Sequence, residues 1–284
     1  MHIFAETKET DMKKSFLTVL LLLSSLLLSA QSLTVISYNI RLGEANDGTN
    51  SWPFRYTASR AMIMDQMPDI MGLQEAYSYQ VAYLKDFCKG YGEVGVGRED
   101  GKKSGEIMAI FYRKETVKLI KWGTFWLSET PKKPSMGWDA ACKRTATWAL
   151  MKDKKTGQKF YYVNTHLDHV GLEAREKGLQ LIVDRIAEMN KKGLPVVVTG
   201  DFNMTPEQKE FAPLNKVMRS ARETAYKTDH LATFHGWGKE DTKIIDHIFY
   251  QGFSSCVEYE TIRKSYEDRK FISDHYPIKA VLVF

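Results

Sequence analysis

Two rhythms of apolar and polar residues alternate along this chain. Short apolar runs bounded by Gly, Pro, Asn or Asp predict strands, and longer stretches with apolar residues three and four apart predict helices. The run at 195–203, Pro-Val-Val-Val-Thr-Gly-Asp-Phe-Asn, is apolar at successive positions and so predicts a strand buried on both faces. Further strands are predicted at 33–40, 69–75, 107–112, 117–120, 124–127, 145–151, 159–163, 244–250, 256–262 and from 278 to the end. Helices are predicted at 55–67, 79–87 and 172–189. The last of these carries Leu179, Ile182, Val183 and Ile186 on one stripe. Thr205-Pro206-Glu207 reads as another helix start. The middle of the chain, 95–163, is strands joined by turns, with Lys155-Thr156-Gly157-Gln158 as a hairpin connection, which predicts antiparallel pairing. No internal repeat or low-complexity linker divides residues 33–284, so a single domain is expected there.

The first 32 residues follow a different logic. Lys13 and Lys14 precede an apolar run at 16–28, and the small residues Ser29-Ala30-Gln31-Ser32 follow it, which is the layout of a cleaved signal peptide. The run is short for a membrane span. Met12 stands directly before the lysines, so residues 1–11 read as an overcalled start. Export to the periplasm or the extracellular space is expected, with no stable membrane insertion after cleavage. Cleavage is expected after Ala30 or Ser32.

Composition narrows the picture only a little. With 43% hydrophobic and 26% charged residues among 284, the chain can build a sizeable core. The net charge of +5 permits a polyanionic partner without demanding one. Cys88, Cys142 and Cys256 are odd in number and far apart, so they form no disulfide framework or zinc site and are expected as small buried hydrophobes. Trp52, Trp126, Trp138 and Trp237 are expected in core packing. A monomer is expected.

What singles the chain out is how its strands end. Asn39, Glu75, His166, Asp201 with Asn203, Asp246, and Asp274 with His275 each terminate or sit within an apolar segment. One by one, such residues more often cap turns or sit hydrogen-bonded in a core; together they suggest a site. Because successive side chains of a strand face opposite ways, Asp246 and His247 are expected to point apart, and Asp229-His230, with no strand before it, is expected at the surface. Carboxylates and amides without cysteine suit a hard divalent cation such as Mg²⁺ or Mn²⁺. Such an ion, with a His backed by an acid and an Asp beside an Asn, suits in-line hydrolysis at phosphorus. There is no His-Glu-x-x-His, Gly-x-Ser-x-Gly or P-loop signature to support a rival chemistry.

The motifs Ser-Tyr-Asn39-Ile-Arg41, Leu-Gln-Glu75, Thr-His166-Leu-Asp168-His169, Gly-Asp201-Phe-Asn203, Ile-Asp246-His-Ile and Ser-Asp274-His275-Tyr-Pro, in that order, resemble those of the endonuclease/exonuclease/phosphatase superfamily. The resemblance implies a four-layer α/β/β/α sandwich of two mixed, largely antiparallel sheets with helices outside. It implies Glu75 as the principal metal ligand, with Asn39 and Asp274 near the same ion. Asp201 would activate water, with Asn203 holding it and the phosphate. His275 would bind or protonate phosphate oxygens with its ring oriented by Asp246, and His166 would stabilise the phosphate. Arg144 and Arg41 are candidate phosphate contacts, since a guanidinium matches phosphate oxygens bidentately. The superfamily spans nucleases, sugar- and inositol-phosphate phosphatases and lipid phosphodiesterases. A secreted metal-dependent phosphoesterase is therefore expected, with nuclease-like action narrowly ahead of small-phosphoester hydrolysis and a non-catalytic binding module far behind.

Overall fold

The computed structural model describes residues 32–284; except for Ser32, the signal peptide expected at 1–32 lies outside the described residues. Twelve strands form two mixed six-stranded sheets. The first contains β1 (Ser32–Asn39), β2 (Ile70–Gln74), β3 (Tyr91–Val94), β4 (Ile110–Arg113), β11 (Ser255–Thr261) and β12 (Ile278–Val283), in the order β11-β12-β1-β2-β4-β3. The second contains β5 (Val117–Trp126), β6 (Thr145–Asp153), β7 (Lys159–His166), β8 (Val196–Asp201), β9 (Arg219–Ser220) and β10 (Asp246–Gln251), in the order β5-β6-β7-β8-β10-β9.

Strand alternation sorts the core into three layers. Inward residues of both sheets, among them Val35, Ile70 and Ile110 from one and Met151, Tyr162 and Val197 from the other, share a single cluster. The opposite face of the first sheet, with Ile36, Met71 and Leu73, packs on α1 (Tyr56–Gln66) and α2 (Ser78–Phe87) through Met62, Ile63 and Leu84. The opposite face of the second, with Val163, Val196 and Val198, packs on α3 (Leu172–Met189) through Leu179, Ile182 and Ile186. Each fully buried Val, Leu or Ile contributes about 1.5–3 kcal/mol. The result is the four-layer α/β/β/α sandwich, and β8 is buried along its whole length as its unbroken apolar run predicts.

Two parallel pairs position the site. β1 pairs with β2 across α1, and β7 pairs with β8 across α3, so both crossovers bring C-terminal strand ends side by side. Asn39 is level with Gln74, and His166 with Asp201. β10 runs antiparallel to β8 and puts Asp246 opposite Asp201. Beneath these ends, Asn164 bridges the sheets: its amide donates to Leu73 O (2.7 Å) and Ala109 O (3.0 Å) and accepts from Gln74 Nε2 (2.7 Å). Gly72 makes room, since a Cβ there would stand 2.4 Å from Asn164 Oδ1.

Some boundaries differ from expectation. The segments 117–120 and 124–127 belong to one strand, β5, whose register shifts between Leu119 and Lys121. A β-bulge tolerates the polar break that had divided it in the pattern. At 107–112 the ladder begins only at Ile110, while Ile107 makes isolated bridges to Ala76 and Gly97. Thr205-Pro206-Glu207 starts no α-helix; a 3₁₀ turn at Lys209–Phe211 and the four-residue α4 (Ala212–Asn215) follow, with α5 (Ala221–Thr224) after β9. β3 and β9 carry too few apolar residues to have been visible. No helix among the described residues is long and apolar enough to cross a membrane.

Candidate active site

The site grows from strand ends whose backbones turn sharply. Arg41, Glu75 and Asn203, each just beyond a strand, have φ of 62°, 60° and 50°. That left-handed conformation costs a non-glycine residue about 1 kcal/mol or more, least for Asn, and swings the side chain toward the gap between the sheets. Hydrogen bonds hold it there. Glu75 Oε2 accepts from Leu42 N (2.8 Å), Asn39 Oδ1 from Arg41 N (2.9 Å) and Asp201 Oδ1 from Asn203 N (2.9 Å). Asn39 Nδ2 donates to both Glu75 Oε1 (2.9 Å) and Asp201 Oδ2 (3.0 Å), tying one sheet to the other. Arg55 is fully buried between the rings of Trp52 and Trp237, 5.1 and 5.7 Å away. It donates to Ile40 O, Arg41 O and Ile272 O, clamping the end of β1 to the segment that carries Asp274.

Carboxylates and imidazoles then alternate across the gap. Asp246 Oδ2 lies 2.8 Å from His275 Nδ1, and His275 Nε2 lies 3.7 Å from Asp201 Oδ2. Asp201 Oδ2 is 3.5 Å from His166 Nε2, and His166 Nδ1 is 3.6 Å from Glu106 Oε2. Burial disfavours a charged His275 ring, but Asp246 and Asp201 outweigh it and push its pKa up to about 10, so it is an imidazolium at neutral pH. Burial, reinforced by Arg144, lowers His166 to about 3, so that ring is neutral. Asn203 Nδ2 donates to His166 Nε2 (3.0 Å), which places the ring proton on Nδ1. Asn203 thus orients His166, and its Nδ2 also donates to Leu167 O (3.0 Å). His247 faces away from Asp246, as alternation requires, among Phe202, Phe211 and Phe249.

The donor set fits a hard cation. Ligand atoms of Glu75, His166 and Asp201 lie within 4.8 Å of one another. Asp274 stands outside that group, with Oδ2 3.4 Å from Arg41 Nη1. Asp201 and Asp274 are both raised, first by burial and then by the neighbouring carboxylates Asp246 and Glu75 respectively. Buried acids crowded in this way gain when a cation stands among them.

These groups line a cleft of about 790 Å³ that continues past Arg98, Glu106, Cys142, Arg144 and His169. Arg144 Nε is 3.4 Å from Asp168 Oδ2, and its Nη2 donates to His169 Nδ1 (3.0 Å). Burial would raise Asp168, but the backbone N–H groups of Gly171, Val170 and Ala141, and then Arg144, hold it well below the usual carboxylate range. Arg41 is held by both oxygens of Asp47 at 2.9 and 3.0 Å. Glu106, Arg98 and the orienting role of Asp168 were missed in the sequence. Glu106 precedes an apolar run instead of ending one, and Arg98 lies in a loop without periodicity. Cys142, expected in the core, instead lines the cleft 3.7 Å from Asp168; Cys88 and Cys256 are buried as expected. Asp229, expected at the surface, is half-buried and accepts from Thr261 Oγ1 (3.0 Å), whereas His230 is exposed. A second cleft of about 540 Å³ near Tyr79 and Trp122 contains none of the strand-end groups.

The pattern that defines the endonuclease/exonuclease/phosphatase family matches residues 36–275, from β1 to His275. The chain belongs to that family. A solved endonuclease/exonuclease/phosphatase from Bacteroides vulgatus is 38% identical, with TM-score 0.83, covering 88% of this chain and 98% of that one. A Bacteroides thetaiotaomicron protein named as a mannosyl-6-phosphatase is 36% identical, with TM-score 0.84, over 89% of this chain and all of that one. An uncharacterised protein of Acanthamoeba polyphaga mimivirus is 25% identical over 175 residues, which span 56% of this chain and 63% of that protein. Members of the family are hydrolases of phosphoester bonds, and the acids and histidines here are positioned to hold a metal.

Proposed function

We propose that this chain is a divalent-metal-dependent hydrolase of a small phosphomonoester, acting by in-line attack of water. The observation that carries the reading is Asp201, buried with Oδ2 3.7 Å from His275 Nε2 and 3.5 Å from His166 Nε2, beside Glu75. Asp201, its basicity raised by burial, orients and deprotonates the attacking water. His275 donates from Nε2 to the phosphoryl oxygens, and Asp246 keeps that proton in place by holding Nδ1. His166 keeps one tautomer through Asn203 and stabilises the phosphate. Glu75 would hold Mg²⁺ or Mn²⁺, with Asn39 and Asp274 near it and Asp201 within reach of the same ion. The bound ion would neutralise charge developing on the phosphoryl oxygens. Arg144 and Arg41 would contact the phosphate, each aimed by an acid, Asp168 and Asp47.

A small monoester is favoured over the nucleic acid toward which the sequence reading leaned. Every cation on the cleft wall is already paired with an acid, whereas a nuclease groove keeps free positive charge for the phosphate backbone. The relative named as a mannosyl-6-phosphatase supports the same choice. A panel of mannose 6-phosphate, phenyl phosphate, bis-nitrophenyl phosphate and DNA, each with Mg²⁺, Mn²⁺ or EDTA, tests it. Metal-dependent turnover of the monoesters is expected. Cleavage of DNA with neither monoester touched would refute the reading. The leader at 1–32 points to an exported enzyme, which the N-terminal residue of protein recovered from its host would test.

A further inference from the structure

We infer that Cys142, Asp168 and His169 form a second metal site, softer than the acid-rich one, which takes Zn²⁺ and in doing so withdraws Arg144 from the phosphate. The effect on Arg144 rests on the phosphomonoesterase reading above, whereas the site itself does not. Ligand atoms of the three residues lie within 4.8 Å of one another. Cys142 and His169 line the cleft beside Arg144, and Asp168 is buried next to them.

Two segments distant in sequence are pinned together to bring the three into reach. Asp139 Oδ1 accepts from Ala174 N (2.7 Å), and a Cβ on Gly171 would stand 2.4 Å from that same oxygen, so a glycine is what lets the segments approach. Leu127 N donates to Arg144 O (2.8 Å) and anchors the chain just beyond Cys142. Asp168 Oδ1 accepts from Val170 N (3.0 Å) and Gly171 N (2.8 Å), which leaves Oδ2 toward Cys142 Sγ, 3.7 Å away. Zinc bonds of about 2.3 Å to sulfur and 2.0 Å to oxygen, at the tetrahedral angle, set such a pair about 3.5 Å apart. The His169 ring is exposed and can rotate to close the remaining gap. No regular zinc spacing marks the three, because the cysteine and the Asp-His pair meet only in the fold.

Sulfur, imidazole nitrogen and one carboxylate oxygen suit a borderline-soft cation such as Zn²⁺, whereas Mg²⁺ takes oxygens. Binding releases the thiol proton to solvent, and thiolate and carboxylate then balance the two charges of the ion. Three protein ligands leave a fourth position open to the cleft. Occupation disarms Arg144. A neutral imidazole has one lone pair, and Arg144 Nη2 donates to it at Nδ1 (3.0 Å). Ligation through Nδ1 takes that lone pair, and ligation through Nε2 moves the ring proton onto Nδ1; either way the bond from Arg144 is lost. Asp168 Oδ2, 3.4 Å from Arg144 Nε, is taken by the same ion. The guanidinium then faces a dication and is left with Glu106 Oε2, 4.0 Å from its Nη1. Bound Zn²⁺ and an Arg144 aimed at phosphate thus exclude each other.

The test uses the chain with its thiols reduced and Mg²⁺ in excess, so that the acid-rich end is filled. Co²⁺ stands in for Zn²⁺, because a thiolate bound to it gives a near-ultraviolet charge-transfer band that oxygen ligands do not. The wild type should show the band, Zn²⁺ should bleach it, and Cys142→Ser should lack it. No band in the wild type, or an undiminished band in Cys142→Ser, overturns the site. Hydrolysis of phenyl phosphate gives the second readout. Zn²⁺ should inhibit the wild type mainly by raising KM, and half-inhibition of Cys142→Ser should need about tenfold more Zn²⁺, the least that weakening a ligand set costs. Equal inhibition of the two would place the inhibiting ion at Glu75 and overturn the link to Arg144. A wild type that cleaves only diesters refutes the phosphomonoesterase reading, while the band still decides the site. Should Cys142→Ser fail to fold, His169→Gln replaces it: the Co²⁺ concentration giving half the band should rise about tenfold, and an unchanged one overturns the site.

Discussion

The two ends of the cleft are built from the same residue types to opposite electrical effect. At one end Glu75, Asp201, Asp246 and Asp274 face Arg41 and the cationic His275, and Arg41 is already shared with Asp47. At the other, Arg98, Lys143 and Arg144 meet Glu99, Glu106 and Asp168. The acid-rich end has a deficit that a divalent cation and a water-activating base can use. The balanced end has no deficit, only directional donors and acceptors. His166 sits where the two ends meet, between Asp201 and Glu106.

The comparison breaks most visibly at His275. His275→Ala should lower kcat about 100- to 1,000-fold, as loss of a preorganised donor does. If Asp246 acts through that ring, Asp246→Asn combined with His275→Ala should cost little more than His275→Ala alone, and additive losses in steady-state kinetics would separate the two residues. The acid excess is tested without turnover. Saturating Mg²⁺ or Mn²⁺ at about 100 times Kd should stabilise the fold by about 3 kcal/mol, read as a rise in Tm. Glu75→Gln should abolish most of that rise while Arg98→Met keeps it.

At the balanced end, Arg144→Lys replaces a two-pronged contact with a point charge, and KM should rise about tenfold with a smaller change in kcat. The smallest effect on turnover is expected at His247, on the far face of β10. Burial lowers its pKa to about 4, so the folded state resists a proton that the unfolded chain takes up near 6.5. Its contribution to stability is complete above pH 6.5 and is lost as pH falls toward 4. His247→Gln should flatten that part of the acid-unfolding curve and leave kcat at neutral pH unchanged.

Fold class and the members of the acid-rich end were legible in the sequence. A strand that ends on an acid or amide announces itself locally, because apolar alternation stops and a polar side chain follows at a known position. Val196–Asp201 and the segment ending on Asn39 show this directly, and so does the opposite facing of Asp246 and His247. The balanced end was not legible. Arg98 and Glu106 come from a loop that carries no periodicity, and they become a pair only when Arg98 N meets Glu106 O across that loop's own turn.

Protonation was likewise beyond the sequence. His275 and His166 are the same residue type, one in an isolated bridge just before β12 and the other at the end of β7, yet one pKa is raised to about 10 and the other lowered to about 3. The order of residues determined which side chains reach the gap between the sheets, because strand period and chain direction are local properties. The tertiary structure alone decided which carry charge there, because charge depends on the burial and the neighbours that each ring meets after two sheets close over it.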